Sequence, residues 1–150
     1  MSLDAIAGNN YCHFFDDELF LATDRPGFRR RVITGDNVQL CFWRIDGGAD
    51  GSFLHRHDDT EQLGIVMRGA LDFRIGNDAD DQQRIVLNAG DLYLAPRTIW
   101  HGDSIFIGDE EYGECWILDV FAPPRDDLRG ESSNLSENTS PQPDDGGATE

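Results

Sequence analysis

Seven short runs rich in β-branched and aromatic residues divide the middle of this chain, and their spacing constrains the fold more than any other feature. They are VQLCFWRI (38–45), GIVMRG (64–69), ALDFRIG (70–76), QRIVL (83–87), DLYLA (91–95), IWHGDSIFI (99–107) and GECWILDVF (113–121). Turn-forming clusters separate them: DGGADG (46–51), GNDADDQ (76–82), NAG (88–90) and GDEE (108–111). Strands this short, punctuated this regularly, predict an all-β sandwich or barrel. No segment sustains a 3.6-residue apolar period; DDELFLATD (16–24) leaves room for one short helix at most. A chain of 150 residues is one domain's worth of material. We therefore place a β-barrel over 30–130, an N-terminal arm over 1–29 and a tail over 131–150. The tail, ESSNLSENTSPQPDDGGATE, holds one Leu and no aromatic residue, too little apolar surface to offset its ordering entropy, and is expected to be disordered.

Charge removes whole classes of partner. The chain carries 29 acidic against 12 basic residues, a net charge of −17, and every basic residue is an arginine. With no basic footprint, nucleic acid and anionic membrane surfaces are not expected to bind. Abundant Asp without Lys fits adaptation to high salt, where a carboxylate surface stays hydrated; it fits equally well a GC-rich coding sequence ending in an acidic tail. Cys12, Cys41 and Cys115 have no CxxC spacing and read as reduced, mostly buried thiols. Residues 1–20 lack a basic stretch followed by an apolar run, so no signal peptide is expected. No apolar stretch approaches the ~20 residues that span a bilayer. The expectation is a soluble, cytoplasmic protein.

The chemistry gathers in two clusters. In HRHDDTEQLGIVMRG (55–69), His55 and His57 are two apart, so on a strand both imidazoles leave the same face. In GDLYLAPRTIWHG (90–102) a glycine opens a strand, Pro96 ends it at a turn, and His101 starts the next. An isolated HxH is usually two solvated or satisfied histidines; a third histidine delivered by another hairpin shifts the balance towards a metal site inside a small barrel. The remaining ligand is Glu61 or Gln62, and a one-residue step reverses the face. Leu63, Ile65 and Met67 alternate in phase with Glu61, which favours Glu61 as the inward residue. A barrel strand covered by a second chain can instead be apolar on its outer face, which leaves Gln62 open.

These clusters resemble the two motifs of the cupins, G-x5-H-x-H-x(3,4)-E-x6-G and G-x5-P-x-G-x2-H-x3-N. Here they read His55-x-His57-x4-Gln62-x6-Gly69 and Gly90-x5-Pro96-x-Thr98-x2-His101. Four positions depart: Gly48 stands one residue early, Gln62 replaces the usual Glu, Thr98 replaces the inner glycine, and Ile105 replaces the final Asn. The resemblance implies a single-domain jelly-roll barrel holding one divalent transition metal (Zn, Ni, Mn, Fe or Co) through three histidines and one carboxylate or amide. Counting back from Gly69 selects Gln62, with Glu61 as the alternative. Three imidazoles and an amide leave the ion's charge uncompensated, which suits Lewis-acid chemistry; a carboxylate would bring the set nearer to an iron oxygenase.

LDVFAPPRDDL (118–128) looks like the C-terminal D-x-F-x3-R-x-D segment of KdgF-type cupins, small enzymes of pectin and alginate breakdown that open 4,5-unsaturated uronates to a linear keto form. RRRVITGDNVQLCFWRIDGGA (29–49) is similar to their N-terminal strands. Their fourth ligand is a glutamine. The resemblance implies proton transfer by Asp119, orientation of the sugar by Phe121 and a grip on the substrate carboxylate by Arg125. From the residues themselves, Asp119 and Phe121 share one face of the last strand; if that face is the interior, burial raises the Asp119 pKa. The opposing reading makes Asp119 a strand-end cap and Arg125 a surface partner of Asp126 or Asp127. His13 has no partner spacing. Trp43, Trp100 and Trp116 read as core, with Trp100 a candidate for the pocket mouth, and Arg74 and Tyr93 as candidate polar lining.

Three functions are compatible with these residues. The first is a metal-dependent enzyme acting on a small carboxylated sugar; the second, an iron-dependent dioxygenase; the third, a non-catalytic cupin that binds metal or ligand. The resemblance also implies a homodimer, for which the face carrying Leu63, Ile65 and Met67 is a natural seat.

Overall fold

The computed structural model describes residues 19–131. Nine strands form within them: β1 (Leu21–Ala22), β2 (Phe28–Thr34), β3 (Gln39–Asp46), β4 (Glu61–Arg68), β5 (Ala70–Gly76), β6 (Ile85–Asn88), β7 (Leu92–Ala95), β8 (Trp100–Ile107) and β9 (Glu114–Ala122). Each of the seven apolar runs yields a strand, shifted by a few residues at its ends. The strands fold into two antiparallel sheets, β1-β2-β3-β9-β4-β7 and β6-β5-β8, wrapped as a jelly-roll barrel. The long-range pairing of β9 between β3 and β4 closes the larger sheet.

Two boundaries move. Residues 21–29, assigned to an arm, are β1 and the start of β2 at the edge of the larger sheet, where Leu21 faces Arg30. Of the stretch allowed a short helix at 16–24, Leu19 is 3₁₀-helical and Leu21–Ala22 are strand, while residues 16–18 lie outside the described residues. A 3₁₀ turn, Asp126–Leu128, follows β9 and inserts Leu128 against Val32, Cys41 and Phe121. Cys12, His13 and residues 132–150 lie outside the described residues; Glu131 is ordered and pairs with Arg30. Cys41 and Cys115 are both buried free thiols.

The core fills the space between the sheets. Phe28, Ile45, Val66, Leu71, Phe73, Phe106 and Ile117 interdigitate there, with Phe28 edge-on to both Trp43 and Phe106. On β4 the buried residues are Gln62, Gly64 and Val66, while Glu61 and Met67 are exposed. The apolar alternation of Leu63, Ile65 and Met67 therefore lies on the outside of the barrel, opposite to what a simple hydrophobic-in rule would give. Trp116, expected in the core, also stands on the outer face, packed between the guanidinium groups of Arg44 and Arg68. No helix among the described residues is long and apolar enough to cross a membrane.

Candidate metal centre

His55 is not on a strand of its own. Its backbone makes an isolated antiparallel bridge to His101, with N–H to carbonyl distances of 2.9 and 2.8 Å in the two directions. His57 lies in the following loop, pinned by the Thr98 N–H donating to its carbonyl at 2.7 Å. Backbone hydrogen bonds thus stitch both members of the HxH motif to the second histidine motif. Thr60 closes the loop on its far side, its hydroxyl donating to the carbonyl of Pro123 just beyond β9. The three imidazoles meet as a result: their ligand nitrogens all lie within 4.8 Å of one another. Ring centroids are 4.4 Å apart for His55 and His101, and 5.0 Å for His55 and His57.

Of the two candidates for the fourth ligand, β4 turns Gln62 inward, where it is 5 % exposed, and Glu61 outward. The Gln62 Oε1 lies 3.1 Å from His57 Nε2 and 3.0 Å from His101 Nε2. Tautomers decide what this contact means. His55 Nδ1 and His101 Nδ1 each approach a backbone carbonyl, of Phe53 at 2.8 Å and of Ile99 at 3.0 Å. A carbonyl only accepts, so both Nδ1 atoms carry a proton. Burial, reinforced by the neighbouring imidazoles and Arg125, pushes His57 and His101 down to about 4, so both are neutral at pH 7. The lone pair of His101 Nε2 therefore faces the lone pairs of Gln62 Oε1, two acceptors at hydrogen-bond distance. Turning the amide over would let its NH₂ donate to the histidines instead. The orientation seen, with oxygen towards the imidazoles, is the one a cation requires. This donor set fits a divalent transition metal held by His55, His57, His101 and Gln62.

The other end of the amide leads to the carboxyl. Gln62 Nε2 donates to the Tyr93 hydroxyl at 2.7 Å, and Tyr93 in turn donates to Asp119 Oδ1 at 3.4 Å. Trp43 Nε1 donates to Asp119 Oδ2 at 3.1 Å. Register places Tyr93, Gly64 and Asp119 side by side across β7, β4 and β9. A Cβ on Gly64 would stand 2.2 Å from the Tyr93 ring, so the absent side chain is what lets the tyrosine lean inward over the strand. Burial drives the Asp119 carboxyl up to about 6, which its hydrogen bonds offset only in part. Burial likewise raises the Tyr93 hydroxyl well above its usual value, so it stays a donor.

Phe121 is buried edge-on to His57, and Arg125 stands over its ring at 5.0 Å. Asp119, Phe121 and Arg125 all line one cavity of about 180 Å³ together with Gln62, His55 and His101. Arg125 is also a surface partner: its Nε and Nη2 bind the two oxygens of Asp127 at 3.1 and 2.6 Å. Tyr93 lines the cavity as anticipated, and Trp43, read as plain core, contributes a hydrogen bond to the site. Arg74 does not; it pairs with Asp103 on the surface. Trp100 borders only a small outer cleft, under Arg56, and not the cavity mouth. Sequence reasoning missed Arg25, which lies outside both motifs, and Ser52 and Ser104, which occupy unspecified positions within them; all three line the cavity.

Comparison with known proteins fits this geometry. The cupin domain family model matches residues 41–112. KdgF from Halomonas sp. superposes with a TM-score of 0.63 at 25% identity, covering 77% of this chain and 96% of that one. Residues 41–112 thus match the cupin domain family, and the described chain has the cupin fold. A RmlC-like cupin from Shewanella frigidimarina NCIMB 400 shares the fold with a TM-score of 0.57 at 24% identity, covering 77% of this chain and 95% of its own. BH2720 from Bacillus halodurans does so with a TM-score of 0.60 at 21% identity, covering 83% and 88% respectively. No curated protein matches this chain by sequence.

Proposed function

We propose that this chain is a metal-dependent enzyme that opens or isomerises the ring of a small carboxylated sugar, an unsaturated uronate being the substrate class its resemblance to KdgF-type cupins favours. One observation carries the reading. A buried carboxyl with a pKa of about 6 is linked through Tyr93 to the amide that faces the three-histidine cluster. A group poised near neutrality can both take and return a proton, which is what tautomerisation of an enol to a keto form needs. A divalent cation bound there would supply Lewis acidity towards a carbonyl or hydroxyl oxygen.

The chain's own residues do the rest. Asp119 holds its proton-exchanging oxygens fixed between Trp43 and Tyr93. Phe121 offers an apolar face for the sugar ring beside His57. Arg125 supplies positive charge at the rim, although a substrate carboxylate gripping its fork must displace Asp127. The cavity volume of about 180 Å³ suits a ligand of monosaccharide size. The outward turn of Glu61 weighs against the dioxygenase reading, which asks for a carboxylate among the ligands.

The test is turnover of 4,5-unsaturated uronates by protein loaded with each of Zn, Ni, Mn, Fe and Co. Asp119→Asn is expected to lower turnover by about 10²–10⁴-fold with metal content unchanged. Full turnover in that variant, or none in the wild type with any of these ions, defeats the proposal.

A further inference from the structure

The cavity has a second polar end whose residues are not among the specified positions of either motif. Arg25, in the turn between β1 and β2, lines it beside Ser52 and Ser104. Nine of the twelve arginines pair with a carboxylate among the described residues, as befits so acidic a chain. Arg25 has no such partner among them. Its guanidinium donates only through Nη2, to the backbone carbonyls of Gly51 at 2.6 Å and Asp50 at 3.1 Å. Nε and Nη1 make no hydrogen bond among the described residues, so each keeps an N–H available as a single donor on either side of the occupied Nη2.

The fork is held in place from two sides. Its carbon sits 4.2 Å above the Phe28 ring, and that ring is wedged edge-on between Trp43 and Phe106. The loop supplying the two carbonyls packs directly on β8: a Cβ on Gly51 would lie 1.8 Å from the Ser104 carbonyl oxygen. Ser52 Oγ donates to Ser104 Oγ at 3.0 Å, and both serines line the same cavity as Arg25. Ser104 is three residues beyond His101 on β8, across a bulge in which Gly102 and Asp103 both have positive φ, so the two lie less than about 10 Å apart along the strand. With the reach of the Arg25 side chain, one sugar acid can bridge that separation.

We propose that Arg25 receives the carboxylate of the acid bound in the barrel cavity, with Ser52 and Ser104 meeting its hydroxyls, so that its reactive carbons lie towards Asp119. This rests on the proposed function and assigns the anion site to Arg25 instead of Arg125, whose fork Asp127 already fills. A rigid guanidinium with no carboxylate partner and with Nε–H and Nη1–H unspent offers charge-assisted donors to a carboxylate oxygen.

The experiment is binding of galacturonate and of its uncharged parent galactose to the metal-loaded protein, by titration calorimetry, alongside steady-state turnover of an unsaturated uronate. The wild type is expected to prefer galacturonate by at least tenfold. Arg25→Gln should abolish that preference with metal content and melting temperature unchanged; Arg125→Gln should keep it. Arg25→Lys, which retains the charge but not the fork, should raise KM tenfold with little change in kcat, and it decides the matter if the glutamine variant does not fold. A wild type without the preference, a preference intact in both Arg25 variants, or one lost only in Arg125→Gln overturns the assignment. Loss of the preference in Arg25→Gln without any wild-type turnover keeps Arg25 and removes ring opening; wild-type turnover with KM unchanged in both Arg25 variants does the reverse.

Discussion

At the scale of single residues, the site sets two kinds of titrating group against each other. Asp119 is raised to about 6 by burial, so folding favours its protonated form and keeping it ionised costs stability above pH 6. His57 and His101 are lowered to about 4, so folding favours their neutral forms, and that contribution is lost as pH falls from 6.5 towards 4. In metal-free protein Asp119→Asn should therefore be stabilising at pH 8, by about 1–3 kcal/mol given ~1.4 kcal/mol for each tenfold change in proton affinity. The gain should shrink below pH 6 to a small remainder at pH 4, because the unfolded carboxyl still ionises down to its ordinary value of 3.8. Thermal melts of the two proteins from pH 4 to 8 check this; an equal gain at every pH would show that the carboxyl is not desolvated. A more active but less stable wild type is the pattern expected of a functional carboxyl. Tyr93→Phe removes one donor from Asp119, so the acidic limb of the pH–rate profile should move upward while metal affinity stays within a few-fold.

At the scale of elements, β4 shows how far the sequence can be read. The strand itself is plain in its apolar run, but its facing is not. Leu63, Ile65 and Met67 argue by hydrophobicity for Glu61 as the inward residue, whereas the distance to Gly69 argues for Gln62. The strand follows the second, because the inner face must leave room for Tyr93 across Gly64 and so carries Gln62, Gly64 and Val66. Periodicity cannot distinguish a core face from an outer face that is also apolar. Arg25 is illegible for a different reason: it lies in a turn without periodicity, and only the close approach of the Gly51 loop brings it to the cavity. The turn Pro96–Ile99 shows a departure from family pattern with a structural consequence. Thr98, where cupins keep glycine, adopts φ +71°, a conformation costly for a β-branched residue. Thr98→Gly should raise stability by about 1 kcal/mol, less what glycine loses in chain entropy, read as a higher urea midpoint. A lower midpoint would mean that the Thr98 side chain contributes more than its backbone costs. Gly64→Ala should push Tyr93 off Asp119 and reproduce the pH shift of Tyr93→Phe.

At the scale of the molecule, the outer face of the larger sheet calls for a partner. Leu63 pairs with Leu94 and Ile65 with Leu92 across β4 and β7, and Met67, Leu92 and Leu94 are each more than two-fifths exposed. A contiguous apolar patch on so charged a chain fits a homodimer seated there. Sedimentation at micromolar concentration should show a dimer and Leu94→Glu a monomer that still binds metal; a monomeric wild type would refute it. The net charge of −17 bears on the same scale. If the acidic surface is an adaptation to salt, the melting temperature should climb from low to molar salt, and a flat series would leave coding composition as the explanation.

Whether His55, His57, His101 and Gln62 hold one cation is the point on which the enzyme reading depends. Anomalous diffraction from crystals of the metal-loaded protein tests it directly. One ion per chain, with those three imidazoles and the Gln62 oxygen as its protein neighbours and Glu61 facing solvent, is the result expected. No ion at that position, or an ion held by Glu61 in place of Gln62, would contradict it.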